Sequence, residues 1–266
     1  MSEDILRKIA AAKKEEIAAA RKLVPEAELR QQAENRESQR PFIGRLRQAH
    51  RDGIGIIAEI KRASPSKGII RGDLNAADYA RRYEQGGATA VSVLTDGQFF
   101  KGSLDDLQAA RNNCSLPVLR KDFLIDTYQF YEAAAAGADA VLLIVRMLSE
   151  NQLSDYLSLC RDLRLDPLVE VHDDTDLDQA SRSGAELIGI NNRDLRTFKT
   201  DIAVATRLVS RFNDRQIPVA ASGISSPDDI RATRRAGINN FLIGESLVRA
   251  DDTVAFMRKL LEAADG

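Results

Sequence analysis

The sequence predicts a closed barrel of eight parallel β-strands, each followed by a helix, behind a helical extension of 48 residues. Three observations predict it. One phrase occurs four times: "GGATAVSVL" from residue 86, "AGADAVLLIV" from 136, "SGAELIGIN" from 183 and "AGINNFLIG" from 236. Each opens with the glycine that tolerates the left-handed backbone just past a helix, and each ends in a strand-like run. Four more strand candidates, 56–61, 117–121, 167–172 and 217–222, fall between these phrases. Helix-like segments separate all of them. Strands that alternate with helices form a parallel sheet, and eight such units in a chain of 266 residues fit a (β/α)8, or TIM, barrel. A doubly wound open sheet is the alternative. It would bring a GxGxxG turn after its first strand, and none follows 56–61.

Residues 1–48 read as charged helix, with Ile5, Ile9 and Ala12 at helical spacing. No Gly/Ser/Pro-rich linker separates them from the rest, so the expectation is a single domain over 1–266 with the extension packed on the barrel. Pro41 breaks the chain before "FIGRLRQA". The first strand lies in "GIIAEIKRASPSKG". Alternation puts Ile57, Glu59 and Lys61 on one face and Ile56, Ala58 and Ile60 on the other. A carboxylate and an ammonium on one face of a buried strand make sense where that face opens onto a pocket. Helix starts are marked where the fold needs them. Ser149 with Gln152 can form a capping box, Ser226 precedes Pro227, and Thr200 and Asp201 stand at another start.

Composition narrows the function classes. Lys and Arg number 38 against 40 Asp and Glu, without the basic excess of a nucleic-acid binder. An anionic small molecule stays compatible, because local fields need not follow net charge. No apolar run can span a bilayer, and the N-terminus has no signal-peptide core, so the expectation is cytoplasmic, with no membrane partner. Cys114 and Cys160 lack metal-ligand spacing and read as reduced and structural. No obligate protein partner is evident.

In such a barrel the active site lies at the C-terminal ends of the strands. Strand one ends with Glu59 and Lys61, strand three with Lys121, strand five carries Glu170, strand six ends with Asn191 followed by Arg193, and strand seven ends with Ser222. Glu59 and Lys61 alone could be a surface ion pair. Two carboxylates and two lysines at one rim are what proton-transfer chemistry uses. The loops after strands seven and eight often bind phosphate in this architecture. Here they hold Gly223 and Gly244, which would let backbone N–H groups approach closely. Glu245 is expected to offer its N–H and turn its carboxylate away.

The stretches "IIAEIKRASPSKG", "VSVLTDGQFFKGS", "PVLRKDFLID", "ADAVLLIVRML", "LVEVHD", "GINNRDL", "ASGI" and "FLIGESL" together resemble the indole-3-glycerol phosphate synthase family in order over 55–248. The resemblance implies a carboxy-lyase of tryptophan biosynthesis that needs no metal or cofactor and takes a phosphorylated small molecule, 1-(2-carboxyphenylamino)-1-deoxyribulose 5-phosphate. It implies that Lys121 is a general acid, that Glu170 assists proton transfer, that Lys61 holds the substrate carboxylate and that Glu59 is its base or orienting partner. Asn191 and Ser222 would bond substrate hydroxyls and the carboxylate. Arg193, Gly223, Gly244 and Glu245 would serve the phosphate side, and Ser64 would touch substrate. Phe100, Phe123, Leu142, Leu195 and Ile243 would wall the aromatic ring.

Two alternatives compete. A phosphoribosylanthranilate isomerase would want a cysteine base ending strand one, where Glu59 and Lys61 stand. A non-catalytic barrel would keep the phosphate loops without the charged rim. Outside the proposed site, His172 reads as a structural hydrogen-bonder and His50 as a surface residue. Ser66 reads as a turn former, and Lys67 with Gly68 and Gly72 as a lid loop.

Overall fold

The computed structural model describes residues 5–36, 38–194 and 197–264. Eight parallel strands close on themselves: β1 Gly55–Ile60, β2 Ala90–Leu94, β3 Val118–Lys121, β4 Ala140–Ile144, β5 Asp166–Val171, β6 Leu187–Asn191, β7 Ile217–Ala221 and β8 Asn240–Ile243. The last returns to the first through pairs from Gly55↔Asn240 to Ala58↔Ile243. The repeated phrase does what its glycine implies. Gly87, Gly137, Gly184 and Gly237 all have φ between 79° and 92°, where a side chain would be strained.

Alternation sorts β1 as its sequence demands. Ile57 packs inside the barrel with Leu119, Leu168, Leu187 and Val219. Ile56, Ala58 and Ile60 pack outward among helix residues such as Tyr83, Leu107 and Phe130. The ladder stops one residue short of three expected ends, so Lys61, His172 and Ser222 sit just past their strands. Side chains there are free of the pleat and can converge on the mouth.

Three helices precede the barrel: α1 Ile5–Leu23, α2 Glu26–Glu34 and α3 Phe42–Asp52. Pro41, which cannot continue a helix, sets the start of α3. Phe42 and Leu46, one turn apart, are fully buried in the barrel interior and stopper its N-terminal end. Asp166 fixes the stopper by accepting the Ile43 N–H at 2.9 Å. Phe42→Ala is therefore expected to cost about 3–5 kcal/mol, read as a lower denaturant midpoint. A shift under about 0.5 kcal/mol would mean that α3 does not fill this end.

The caps follow the sequence with one change. Ser149 and Gln152 form the reciprocal box, and Ser226 accepts the Asp229 N–H with Pro227 in the first turn. The helix Ala203–Leu208 instead has Ile202 at its cap position. Asp201 still accepts the Ala203 N–H at 2.9 Å, while Thr200 pairs with Arg193 in an antiparallel bridge.

Candidate active site

A cavity of about 530 Å³ opens at the C-terminal ends of the strands. Its lining brings together Glu59, Lys61, Lys121, Glu170, Asn191 and Ser222, and with them Ser64, Phe100, Phe123, Leu142, Arg193, Gly223, Ile243, Gly244 and Glu245. Leu195, expected in the aromatic wall, lies outside the described residues.

One half of the mouth is ionic. Glu59 Oε1 lies 2.6 Å from Lys61 Nζ, and Oε2 lies 3.9 Å from Lys121 Nζ. Burial by itself would push the Glu59 carboxyl up. Lys61 and Lys121 outweigh it, Arg193 adds to them, and the group falls below its usual range. Glu59 is thus a carboxylate at neutral pH, buried beside two partly exposed lysines.

Gly244 also stands against Glu59. A Cβ there would lie 2.5 Å from Glu59 Oε1 and 3.1 Å from Glu59 Cβ. The glycine makes room for the Glu59 carboxylate, whatever it also does for phosphate. Gly244→Ala should therefore lower kcat as well as raise KM. A rise in KM alone would return the residue to the phosphate loop only.

The other half is a hydrogen-bonded relay with Asn191 at its hub. Asn191 Nδ2 donates to Glu170 Oε1 at 3.2 Å, and its Oδ1 accepts from Ser222 Oγ at 2.9 Å and from the Arg193 N–H at 3.0 Å. Ser222 has φ 68°, a conformation that costs a non-glycine residue about 1 kcal/mol or more. Asn192, 2% exposed, holds it there by donating to the Ser222 carbonyl at 3.0 Å. Gly223 follows with φ +83° over Thr200, whose Cγ2 would lie 2.6 Å from an added Cβ. The Glu245 carboxylate turns to Arg249, accepting its Nε–H at 3.0 Å.

Phe100 and Phe123 face each other across one wall, ring centres 5.9 Å apart. Sequence reasoning missed what completes that wall: Ile5, Leu6 and Ile9 of α1 line the same cavity. The helical spacing of Ile5 and Ile9 was visible, but not that this face covers the mouth. It also missed Lys13. This lysine is fully buried, 2.9 Å from Asp96 and 2.9 Å from Asp122. Asp96 accepts the backbone N–H groups of Phe99 and Phe100, and Asp122 that of Phe123. One side chain of the extension therefore ties down both aromatic loops. Burial lowers the Lys13 value by itself, but the two carboxylates raise it overall.

Two other expectations change. Ser66 does more than shape its turn, since its Oγ accepts from Arg193 at 3.0 Å across the cavity. The segment around it is a small hairpin, Ala63–Ser64 against Gly68–Ile69. His50 is half-buried rather than on the surface, and burial pushes its imidazole down.

Comparison with known proteins agrees with this geometry. A thiamine phosphate pyrophosphorylase from Pyrococcus furiosus superposes with a TM-score of 0.60 at 15% identity, over 81% of this chain and 97% of that one. At that identity the likeness speaks for the barrel alone. An indole-3-glycerol phosphate synthase from Desulfosudis oleivorans is 65% identical over 259 residues, 97% of this chain and 98% of that protein. One from Laribacter hongkongensis is 49% identical with the same coverage of both chains. One from Syntrophobacter fumaroxidans is 48% identical over 98% of each. The family model described as indole-3-glycerol phosphate synthase matches residues 6–260, and the chain belongs to the indole-3-glycerol phosphate synthase family.

Proposed function

We propose that this rim carries out the family's reaction, converting 1-(2-carboxyphenylamino)-1-deoxyribulose 5-phosphate into indole-3-glycerol phosphate for tryptophan biosynthesis. The observation that carries the assignment is the pair of lysines, Lys61 and Lys121, gathered on one buried carboxylate, Glu59, at the mouth that also holds Glu170. The aromatic carbon that bears the carboxylate attacks the sugar ketone. Lys121 gives a proton to the ketone oxygen, which becomes a hydroxyl. Carbon dioxide leaves and its bonding electrons restore the ring. The hydroxyl then departs as water, with proton transfer assisted by Glu170, and the pyrrole double bond forms. Lys61 holds the substrate carboxylate until it is lost, and Glu59 keeps both lysines in place. Asn191 and Ser222 bond substrate polar groups. Gly223, Gly244 and the Glu245 N–H hold the phosphate, with Arg193 on the same side. Phe100, Phe123, Leu142 and Ile243 clamp the aromatic ring.

We also read 1–48 and the barrel as one folding unit, on the strength of the Lys13 ion pairs and the stopper of α3. Release of an independently folded N-terminal fragment by limited proteolysis would contradict that. Among the described residues no helix is long and apolar enough to cross a membrane, and we propose the cytoplasm as the site of action. The test of function is direct. The chain contains no tryptophan, so indole emission that grows on mixing protein with substrate reports product without background. No emission and no carbon dioxide release would reject the assignment.

A further inference from the structure

We infer that His172 is a positioning residue for Glu170, holding one carboxylate oxygen so that the other serves the substrate. The inference rests on the proposed role of Glu170. His172 follows β5 immediately, and its side chain is only 4% exposed. Its ring lies between two carboxylates. Nε2 is 3.5 Å from Glu170 Oε1, and Nδ1 is 3.5 Å from Asp176 Oδ2. At those distances neither nitrogen makes a hydrogen bond, and among the described residues neither buried nitrogen has another hydrogen-bond partner. Buried polar atoms are seldom left so. Hydrogen bonds in unliganded active sites are often long and tighten when substrate binds. A contraction of roughly half an ångström on each side completes both bonds here.

The surroundings fix which group moves. Asp176 is anchored, accepting Arg146 Nε at 2.8 Å and the His172 backbone N–H at 2.9 Å. Its own N–H donates to Asp173 Oδ1 at 3.0 Å, and Arg146 also pairs with Asp173. Among the described residues the hydrogen bond that holds the Glu170 side chain comes from the Asn191 amide, on Oε1 at 3.2 Å. The anchored side positions the ring, and the ring positions Glu170.

Only the doubly protonated ring donates to both carboxylates, since a neutral imidazole carries a single N–H. Glu170 Oε1 then receives two donors, from Asn191 and His172, and Oε2 is left for substrate. The groups that face the ring are Glu170 from β5 and Asp176 from the helix Asp174–Arg182. Arg146 and Asp173 lie behind Asp176, and Asn191 of β6 lies behind Glu170. The Glu170 carboxylate is the charge that Nε2 faces, so its replacement should be felt at the ring.

Side-chain substitutions separate this role from packing. The amide nitrogen of glutamine can reach the place of Nε2, while that of asparagine overlies Nδ1. His172→Asn should lower kcat about tenfold or more, the worth of one charge-assisted hydrogen bond, with KM little changed. His172→Gln should recover most of the loss. The pH profile of kcat should move in both variants, because neither amide carries the charge of a protonated imidazole. A loss equal in both variants and uniform in pH would show that the ring only packs, and the proposal fails. The second measurement needs no turnover. His50 and His172 are the only histidines in the sequence, so 15N-histidine labelling gives two ring systems. Glu170→Gln should change the pH response of the His172 nitrogens and leave His50 untouched. No change at His172 overturns the inference even if the enzyme is active. A change at His172 sustains the coupling even if the reaction assigned to Glu170 proves wrong.

Discussion

Lys121→Ala lowers kcat by about 100- to 10,000-fold with little change in KM, on the reading that its ammonium acts in the transition state. That loss corresponds to roughly 3 to 5 kcal/mol of barrier. Lys121 ends β3, 3.9 Å from Glu59, and β3 lies across the closed sheet from β7 and β8, whose loops carry Gly223 and Gly244. A phosphate-binding lysine would instead raise KM. Glu170→Gln should behave like Lys121→Ala. Circular dichroism must show both variants folded, since only then do the kinetic constants report chemistry. Near-native kcat with raised KM in either variant would make that residue a binding group.

Lys13→Met has the second large effect, and it joins stability to catalysis. The substitution keeps the bulk of the side chain and leaves Asp96 and Asp122 buried with one cation fewer. Breaking a buried pair from one side costs about 3–5 kcal/mol. Lys14, next in sequence and exposed, is the control, and its replacement should stay within about 0.5 kcal/mol. The pH dependence has a definite sign. Burial alone would raise Asp122, but Arg120 and Lys13 outweigh it and hold its carboxyl below the usual range. A depressed carboxyl contributes stability that is present above its unfolded value, about 3.9, and is lost as pH falls through its lower folded value. Without Lys13 that depression shrinks, so acid unfolding should begin at higher pH. Because Asp96 and Asp122 also hold the backbones of Phe100 and Phe123, kcat should fall as well. A stable variant with native activity would mean that the extension is not coupled to the mouth.

The barrel was legible because glycine and alternation are local signals. Gly87, Gly137, Gly184 and Gly237 mark four helix ends by a backbone need that no other residue meets as cheaply. The face shared by Ile57, Glu59 and Lys61 marks the mouth by a conflict between charge and burial. The rim residues were legible for the same reason, each standing at a strand end. Lys13 was not. On α1 it reads as one more charged helix residue, and only the docking of α1 on the barrel shows it buried between Asp96 and Asp122. The closeness of Gly244 to Glu59 Oε1 was not legible either, because that atom comes from β1, 185 positions earlier in the numbering. Ser66 meets Arg193 across the mouth, and Asn192 meets Ser222 through the pairing of β6 with β7. Pairings across the chain leave no trace in local pattern.

Phosphate binding at the glycine loops after β7 and β8, with proton transfer at Lys121 and Glu170, is the division of labour proposed for this mouth. A crystal structure with indole-3-glycerol phosphate bound tests it most directly. The phosphate should lie against the backbone at Gly223, Gly244 and Glu245, and the indole between Phe100 and Phe123. Lys121 and Glu170 should lie within about 3 Å of the ring-closure atoms or the glycerol hydroxyls. A phosphate held by Lys121 or Lys61, with the indole at the glycine loops, would contradict it.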